Sequence, residues 1–165
     1  LPALTSYTGN NSITAVGGGV LTLGGLQNLA SSTNILAQDS DSTINLPALT
    51  SFSDDNSDSA QSVLNAYGGV ISADNLASLT EVDLSSYASN LTLPSLTSYA
   101  GDNSVNASNA AQVTLDTLAT ITGTIAVQAD GTGTKVTLPA LNSSQGTFTP
   151  SSGGTIALKD TTLTG

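Results

Sequence analysis

Apolar and polar positions along this chain fall into short alternating runs broken by turn residues, the signature of narrow strands that bury one face. Ser12-Ile13-Thr14-Ala15-Val16 alternates, Gly17-Gly18-Gly19 interrupts it, and Val20-Leu21-Thr22-Leu23 alternates again before Gly24-Gly25. The same pattern predicts strands over 42–46, 69–72, 81–84, 89–93, 111–115, 124–127, 135–138 and 155–158. Helical spacing is rare. Its best instance, residues 58–67, predicts a single helical insertion that bulges from the strand array.

The runs are punctuated by a repeated unit. Leu1-Pro2-Ala3-Leu4-Thr5-Ser6-Tyr7 returns as Leu46-Pro47-Ala48-Leu49-Thr50-Ser51-Phe52, as Leu93-Pro94-Ser95-Leu96-Thr97-Ser98-Tyr99 and, more weakly, from Leu138 to Ser144. Copies without proline lie between them, at Leu26-Gln27-Asn28-Leu29-Ala30-Ser31, at Ala73–Ser78 and at Leu115–Thr120, making seven in all. Numbered from the second leucine, at Leu4, Leu29, Leu49, Leu76, Leu96, Leu118 and Leu141, the steps are 25, 20, 27, 20, 22 and 23 residues. A period of about 23 is that of a solenoid whose coils each contribute short parallel strands. Like residues then stand above like: an apolar column from Leu1 to Leu138, a hydroxyl column from Ser6 to Ser143, and a column in which threonine alternates with alanine. Tyr7, Ser32, Phe52, Leu79, Tyr99, Ile121 and Ser144 form a further column, mostly large and apolar.

The expectation is therefore an all-β, single-domain parallel β-helix of about seven coils spanning residues 1–165, roughly 35 Å long at the usual ~4.8 Å strand spacing. A seven-bladed propeller needs about 40 residues per blade. A leucine-rich repeat needs a helix and a stacked asparagine that these units lack. The chain opens inside a repeat copy, with no signal segment, and no covering element is recognisable at either end. It reads as a slice of a longer array whose open strand edges continue or associate.

Composition narrows the chemistry. The chain has no Cys, His, Met, Trp or Arg, and only Lys135 and Lys159 oppose twelve acids, for a net charge of −10. Nucleic acid and anionic membranes are excluded as partners, because only cationic side chains can displace their counterions into solution and this surface is strongly acidic. No apolar run approaches the ~20 residues of a membrane-spanning helix. Charged residues make up 8% of the chain, with Ser, Thr, Asn and Gly at the polar positions, which favours an extracellular or cell-surface location.

The recurring Leu-Pro-Ala-Leu-Thr-Ser unit with Gly/Asn/Ser-rich spacers resembles the repeat arrays of very large bacterial cell-surface and adhesin-like proteins, and more distantly the solenoid of receptor L-domains. The resemblance implies an extracellular, structural or adhesive role without catalytic residues.

Candidate chemical sites are few. Without His or Cys there is no Ser-His-Asp or Cys-His nucleophile and little prospect of zinc, and Lys135 and Lys159 are the only bases for lyase chemistry. Glycoside hydrolysis needs only two carboxyls. Asp74 and Asp116 share a column two coils apart, and Glu81 and Asp83 flank Val82. The plainer reading is that these acids keep the rod soluble, so no catalytic, cofactor or metal residue is assigned and no enzyme activity is expected. Calcium could be held by Asp54, Asp55 and Asp58 in the acidic run 53–58, which lacks the glycine and distal glutamate of an EF-hand loop, with Asp39-Ser40-Asp41 a weaker candidate. The threonine column raises ice binding, but threonine returns there only every second coil. Tyr7, Phe52 and Tyr99 could line a sugar-stacking stripe, although an aliphatic column points to core. Sequons at Asn10, Asn90, Asn106 and Asn142 would carry glycans only in a glycosylating host.

Overall fold

The structure, a computed structural model, describes residues 4–7, 10–30, 32–54 and 61–165. Among the described residues there is no helix, and the chain winds through seven coils. Coil 1 holds β1 (Ser6–Tyr7), β2 (Asn11–Ala15) and β3 (Val20–Thr22), and coil 2 holds β4 (Asn28–Ala30), β5 (Thr33–Gln38) and β6 (Thr43–Asn45). Coil 3 follows with β7 (Ser51–Ser53), β8 (Ser62–Tyr67) and β9 (Val70–Ser72), and coil 4 with β10 (Ser78–Thr80), β11 (Val82–Tyr87) and β12 (Asn90–Thr92). Coil 5 contains β13 (Ser98–Ala100), β14 (Asn103–Ser108) and β15 (Gln112–Thr114). In coil 6 two faces are spanned by one strand, β16 (Thr120–Asp130), before β17 (Lys135–Leu138). Coil 7 repeats this with β18 (Ser143–Ser151) and β19 (Thr155–Leu158), and β20 (Thr162–Thr164) follows.

Three faces result. The first stacks β1, β4, β7, β10, β13 and the start of β16; the second stacks β2, β5, β8, β11, β14 and the rest of β16. Both continue onto β18, with a register shift between Thr120 and Thr124 at the corner. The third face is two hydrogen-bonded sheets, β3-β6-β9 and β12-β15-β17-β19-β20. All pairings but the last, β19 with β20, are parallel.

Alternation along each strand fills the interior with files of like residues. On the second face Ile13, Ile35, Leu64, Leu84, Val105 and Val127 lie in one file and Ala15, Ala37, Ala66, Ser86, Ala107 and Ala129 in the next. The large file and the small file together leave room for the side chains arriving from the other two faces. Nearly all of these residues are fully buried. Ser86, the one hydroxyl in the alanine file, donates to the Ser89 carbonyl at 2.9 Å.

The repeated Leu-Pro-Ala-Leu unit is the corner between the third and first faces. Leu49 N–H donates to the Leu46 carbonyl at 3.2 Å, and Leu26 to Leu23, Leu76 to Ala73, Leu96 to Leu93 and Leu141 to Leu138 do the same. Each is a tight turn, and proline at its second position supplies the φ the turn needs while giving up an N–H that no bond requires. The corner after the second face turns through a left-handed residue in nearly every coil, among them Asp39, Gly68, Ala88, Asn109 and Ser152. Glycine adopts that conformation freely, whereas Ala88 adopts it at a cost of about 1 kcal/mol.

One register departs from the sequence expectation. Leu29 is not filed with Leu4 and Leu49: it pairs with Tyr7 and Phe52. The turn leucine of coil 2 is Leu26, so the steps become 22, 23, 27, 20, 22 and 23 residues. Ser32 leaves the large inward column and Leu29 enters it, giving Tyr7, Leu29, Phe52, Leu79, Tyr99 and Ile121, with a ring in every second coil as far as Tyr99. The expected helix over 58–67 is also overturned where the structure describes it, since Ser62–Tyr67 is β8, paired on both sides. Ladder bonding to β5 and β11 outweighs a local spacing that suits a helix. Residues 58–60 lie outside the described residues.

Candidate functional site

Outward-pointing polar groups are largely tied to the neighbouring coil. The Ser51 hydroxyl donates to Asn28 Oδ1 at 2.7 Å, Asn75 Nδ2 to the Pro47 carbonyl at 2.7 Å, and Thr117 Oγ1 lies 2.9 Å from the Pro94 carbonyl. The threonine column that suggested ice binding behaves likewise: Thr50 Oγ1 donates to the Gln27 carbonyl at 3.1 Å and Thr97 Oγ1 to that of Ala77 at 3.3 Å. With the register corrected, Gln27 rather than Ala30 stands in that column. A denser threonine file, which the repeat columns did not include, lies on the third face, where Thr92, Thr114 and Thr137 occupy consecutive coils.

The acids follow the same rule. Glu81 Oε2 accepts from the Asp102 N–H at 3.3 Å, Asp102 Oδ1 from Thr124 N–H at 3.1 Å, and Asp83 Oδ1 from Ser104 N–H at 2.6 Å. Each carboxylate therefore caps a backbone donor one coil along, a charge-assisted bond stronger than a neutral one. Asp130 Oδ1 accepts from the Ser151 hydroxyl at 2.7 Å. That bond, and then a second from Ser152, hold its carboxyl below the usual carboxylate range. Asp74 and Asp116 stand exposed at the second position of their turns, with the Pro94 turn between them. Neither is buried, the usual means of keeping a glycosidase's general acid protonated.

Of the three calcium candidates, Asp54 is described: its Oδ2 accepts from Ser62 N–H at 2.7 Å and from the Ser62 hydroxyl at 3.0 Å. Asp55 and Asp58 lie outside the described residues. Among the described residues no three acids gather as a metal site. Lys135 is exposed on the third face, and Lys159 Nζ donates to Asn142 Oδ1 at 2.8 Å.

Phe52 and Tyr99 are buried, and Tyr7 packs partly exposed against the core, so the three rings form part of the interior and not a sugar stripe. The Tyr99 hydroxyl lies 2.7 Å from the Val82 carbonyl and 3.2 Å from that of Ser104, and donates its one proton within that pair. Burial, and then the charge of Asp83, push its pKa well above the ordinary tyrosine value.

The exposed rings are others. Tyr67 (44% exposed) and Tyr87 (38%) occupy matching positions on β8 and β11 and stack at 4.5 Å between centroids, 9° apart. Their spacing of one coil step was the available signal. Val16, Val20 and Val70 are exposed beside the same corner of the rod.

The ends of the rod are unlike. β20 folds back antiparallel on β19, with Ile156 opposite Leu163 and Leu163 packed on the core. Thr162–Thr164 carries the polar-apolar alternation needed for this, and its direction is decided by the turn at Lys159-Asp160, where Leu158 N–H donates to the Thr161 carbonyl at 2.7 Å. At the N-terminal end Leu4, Tyr7 and Leu21 remain only partly buried.

Comparison with protein-family models, with curated proteins and with solved structures returns no match.

Proposed function

We propose that this chain is a structural and adhesive module of an extracellular or cell-surface protein, a stiff β-solenoid rod and not an enzyme. The observation that carries this reading is the use of its polar side chains: hydroxyls, amides and carboxylates on the outer surface bond to the adjacent coil at row after row. Such bonds stiffen a rod, whereas a catalytic site needs polar groups left available for substrate. The motif-level likeness to adhesin-like repeat arrays and the low charged content point the same way.

The module is tested by limited proteolysis and single-molecule extension. A scaffold resists broad-specificity protease under native conditions and unfolds at high force in coil-sized steps. Rapid cleavage within the described coils, or extension without a force plateau, would remove the reading.

Carbohydrate recognition is the second reading, favoured by the exposed Tyr67–Tyr87 pair. A glycan array with wild type and Tyr87→Ala separates the two, since only the second reading has binding that disappears in the variant. A reducing-sugar assay with Asp116→Asn extends this to cleavage: hydrolysis lost in that variant would reverse the ranking.

A further inference from the structure

Tyr67 ends β8 and Tyr87 ends β11, and the two strands pair in parallel register from Val82 with Ser62 to Tyr87 with Tyr67. Paired positions of a parallel ladder point their side chains the same way, so the two phenol rings leave the rod side by side, 4.5 Å apart between centroids and 9° from parallel. Backbone bonds hold both anchor points. Asp39 N–H donates to the Tyr67 carbonyl at 3.0 Å, Gly68 N–H to the Tyr87 carbonyl at 2.8 Å and Ala88 N–H to the Ser108 carbonyl at 3.1 Å. The pair lies within the rod, flanked in its column by Gln38 of coil 2 and Ser108 of coil 5.

Composition gives this pair a chemical meaning. Cysteine and methionine, the usual targets of oxidation, are absent from the chain, and so are tryptophan and histidine. The four tyrosines are left as the side chains most readily oxidised. Tyr99 is buried with its hydroxyl held at two backbone carbonyls, and Tyr7 packs against the core on the first face. Tyr67 and Tyr87, 44% and 38% exposed, are open to an oxidant. Neither Gln38 nor Ser108 can accept the electron hole from them, so an oxidised ring has one redox partner in its column, the other tyrosine.

We propose that Tyr67 and Tyr87 are a cross-linking site, joined as dityrosine to form a covalent staple between coils 3 and 4. The co-reactant is hydrogen peroxide, used through a one-electron oxidant of the haem peroxidase class. Each phenol loses one electron and its phenolic proton. The two phenoxyl radicals couple through one ring carbon ortho to each oxygen, and the hydrogen on each of those carbons then moves to its oxygen, restoring both phenols. One C–C bond forms, and the two electrons and two protons released reduce one peroxide to two waters. Exposed rings change rotamer on the picosecond-to-nanosecond scale, so they can pass from stacked to edge-on while the ladder keeps their anchors one strand spacing apart. Holding the partners together makes the coupling intramolecular. The staple does for a chain without cysteine what a disulfide does elsewhere, restraining the unfolded state. The site stands on geometry and composition, and goes beyond the scaffold reading without resting on it.

Oxidation of dilute protein with a haem peroxidase and hydrogen peroxide tests it, in wild type, Tyr7→Phe, Tyr67→Phe and Tyr87→Phe. Phenylalanine keeps a ring at the position, so before oxidation all four should give the same circular dichroism. Wild type and Tyr7→Phe are expected to yield a monomer with dityrosine fluorescence, a mass lower by two hydrogen atoms, and one cross-linked peptide pair containing Tyr67 and Tyr87. These signals are lost in Tyr67→Phe and in Tyr87→Phe, and in wild type oxidised in urea, where the register is gone. The linked chain is expected to melt above the unlinked one. No dityrosine, products that only join separate chains, a link that survives either substitution, or an equal yield in urea would overturn the site. A link formed without a rise in melting midpoint would overturn the staple.

Discussion

Tyr99 is buried in the core, far from the environment of a tyrosine in water. Its ring fills the inward column between Leu79 and Ile121, and its hydroxyl is held at the Val82 and Ser104 carbonyls. An unfolded tyrosine titrates near pH ~10 and this one titrates well above it. Below that pH both states keep the proton and nothing is lost. Above it the unfolded chain releases the proton and the folded one does not, so stability falls by about 1.4 kcal/mol per pH unit for this group. Tyr99→Phe is expected to cost about 1 kcal/mol at neutral pH, the net worth of one hydrogen bond, and to remove that alkaline slope. Urea titrations carried from neutral pH to above pH ~10 would show the two curves converging. Asp130 gives the opposite case. Its lowered pKa comes first from Ser151, so the contribution of that bond is present above the ordinary carboxylate range and is lost as pH falls through the depressed value. Ser151→Ala is expected to move the Asp130 titration, followed by carbon-detected NMR, up toward an ordinary aspartate.

At the scale of elements, the turn and the file carry the fold. Leu96 closes its turn onto Leu93 at 3.3 Å and is fully buried between coils 4 and 6. Leu96→Ala is expected to cost 2–5 kcal/mol, roughly the range for a buried leucine whose surroundings cannot collapse, measured as a lower denaturant midpoint with unchanged slope. Leu4→Ala, at a corner only partly buried, is expected to cost clearly less. The strands were legible because alternation and glycine breaks mark them locally, and ten of the twenty observed strands lie in or overlap the runs read from alternation alone. Register in coil 2 was not. Leu23, Leu26 and Leu29 stand three apart, so two Leu-x-x-Leu frames fit equally well, and only pairing of Leu29 with Tyr7 and Phe52 chooses the first. The segment 62–67 was misread for the same reason: Val63, Leu64 and Tyr67 suit a helix face, yet neighbours on both sides supply strand partners.

For the whole molecule, stacking makes each coil depend on the next, and stability is spread along the rod. Added chelator is expected to leave the melting midpoint unchanged, because Asp54 already caps Ser62; a fall of several degrees would instead place calcium in the acidic run.

By itself the sequence determined the class of fold, the number of coils and all but one of the repeat turns, since alternation marks each strand locally and the Leu-x-x-Leu units recur along the chain about every 23 residues. It also determined that no nucleophilic site built on histidine or cysteine can form within this chain, because absent residue types are absent wherever the chain goes. Only the tertiary structure decided which leucines share a file, which hydroxyls and acids bond across coils, that two distant tyrosines meet at the surface, and that the last strand runs backward. Each of these depends on partners twenty or more residues away or on the sense of a turn, and neither is recorded in the order of residues within one coil.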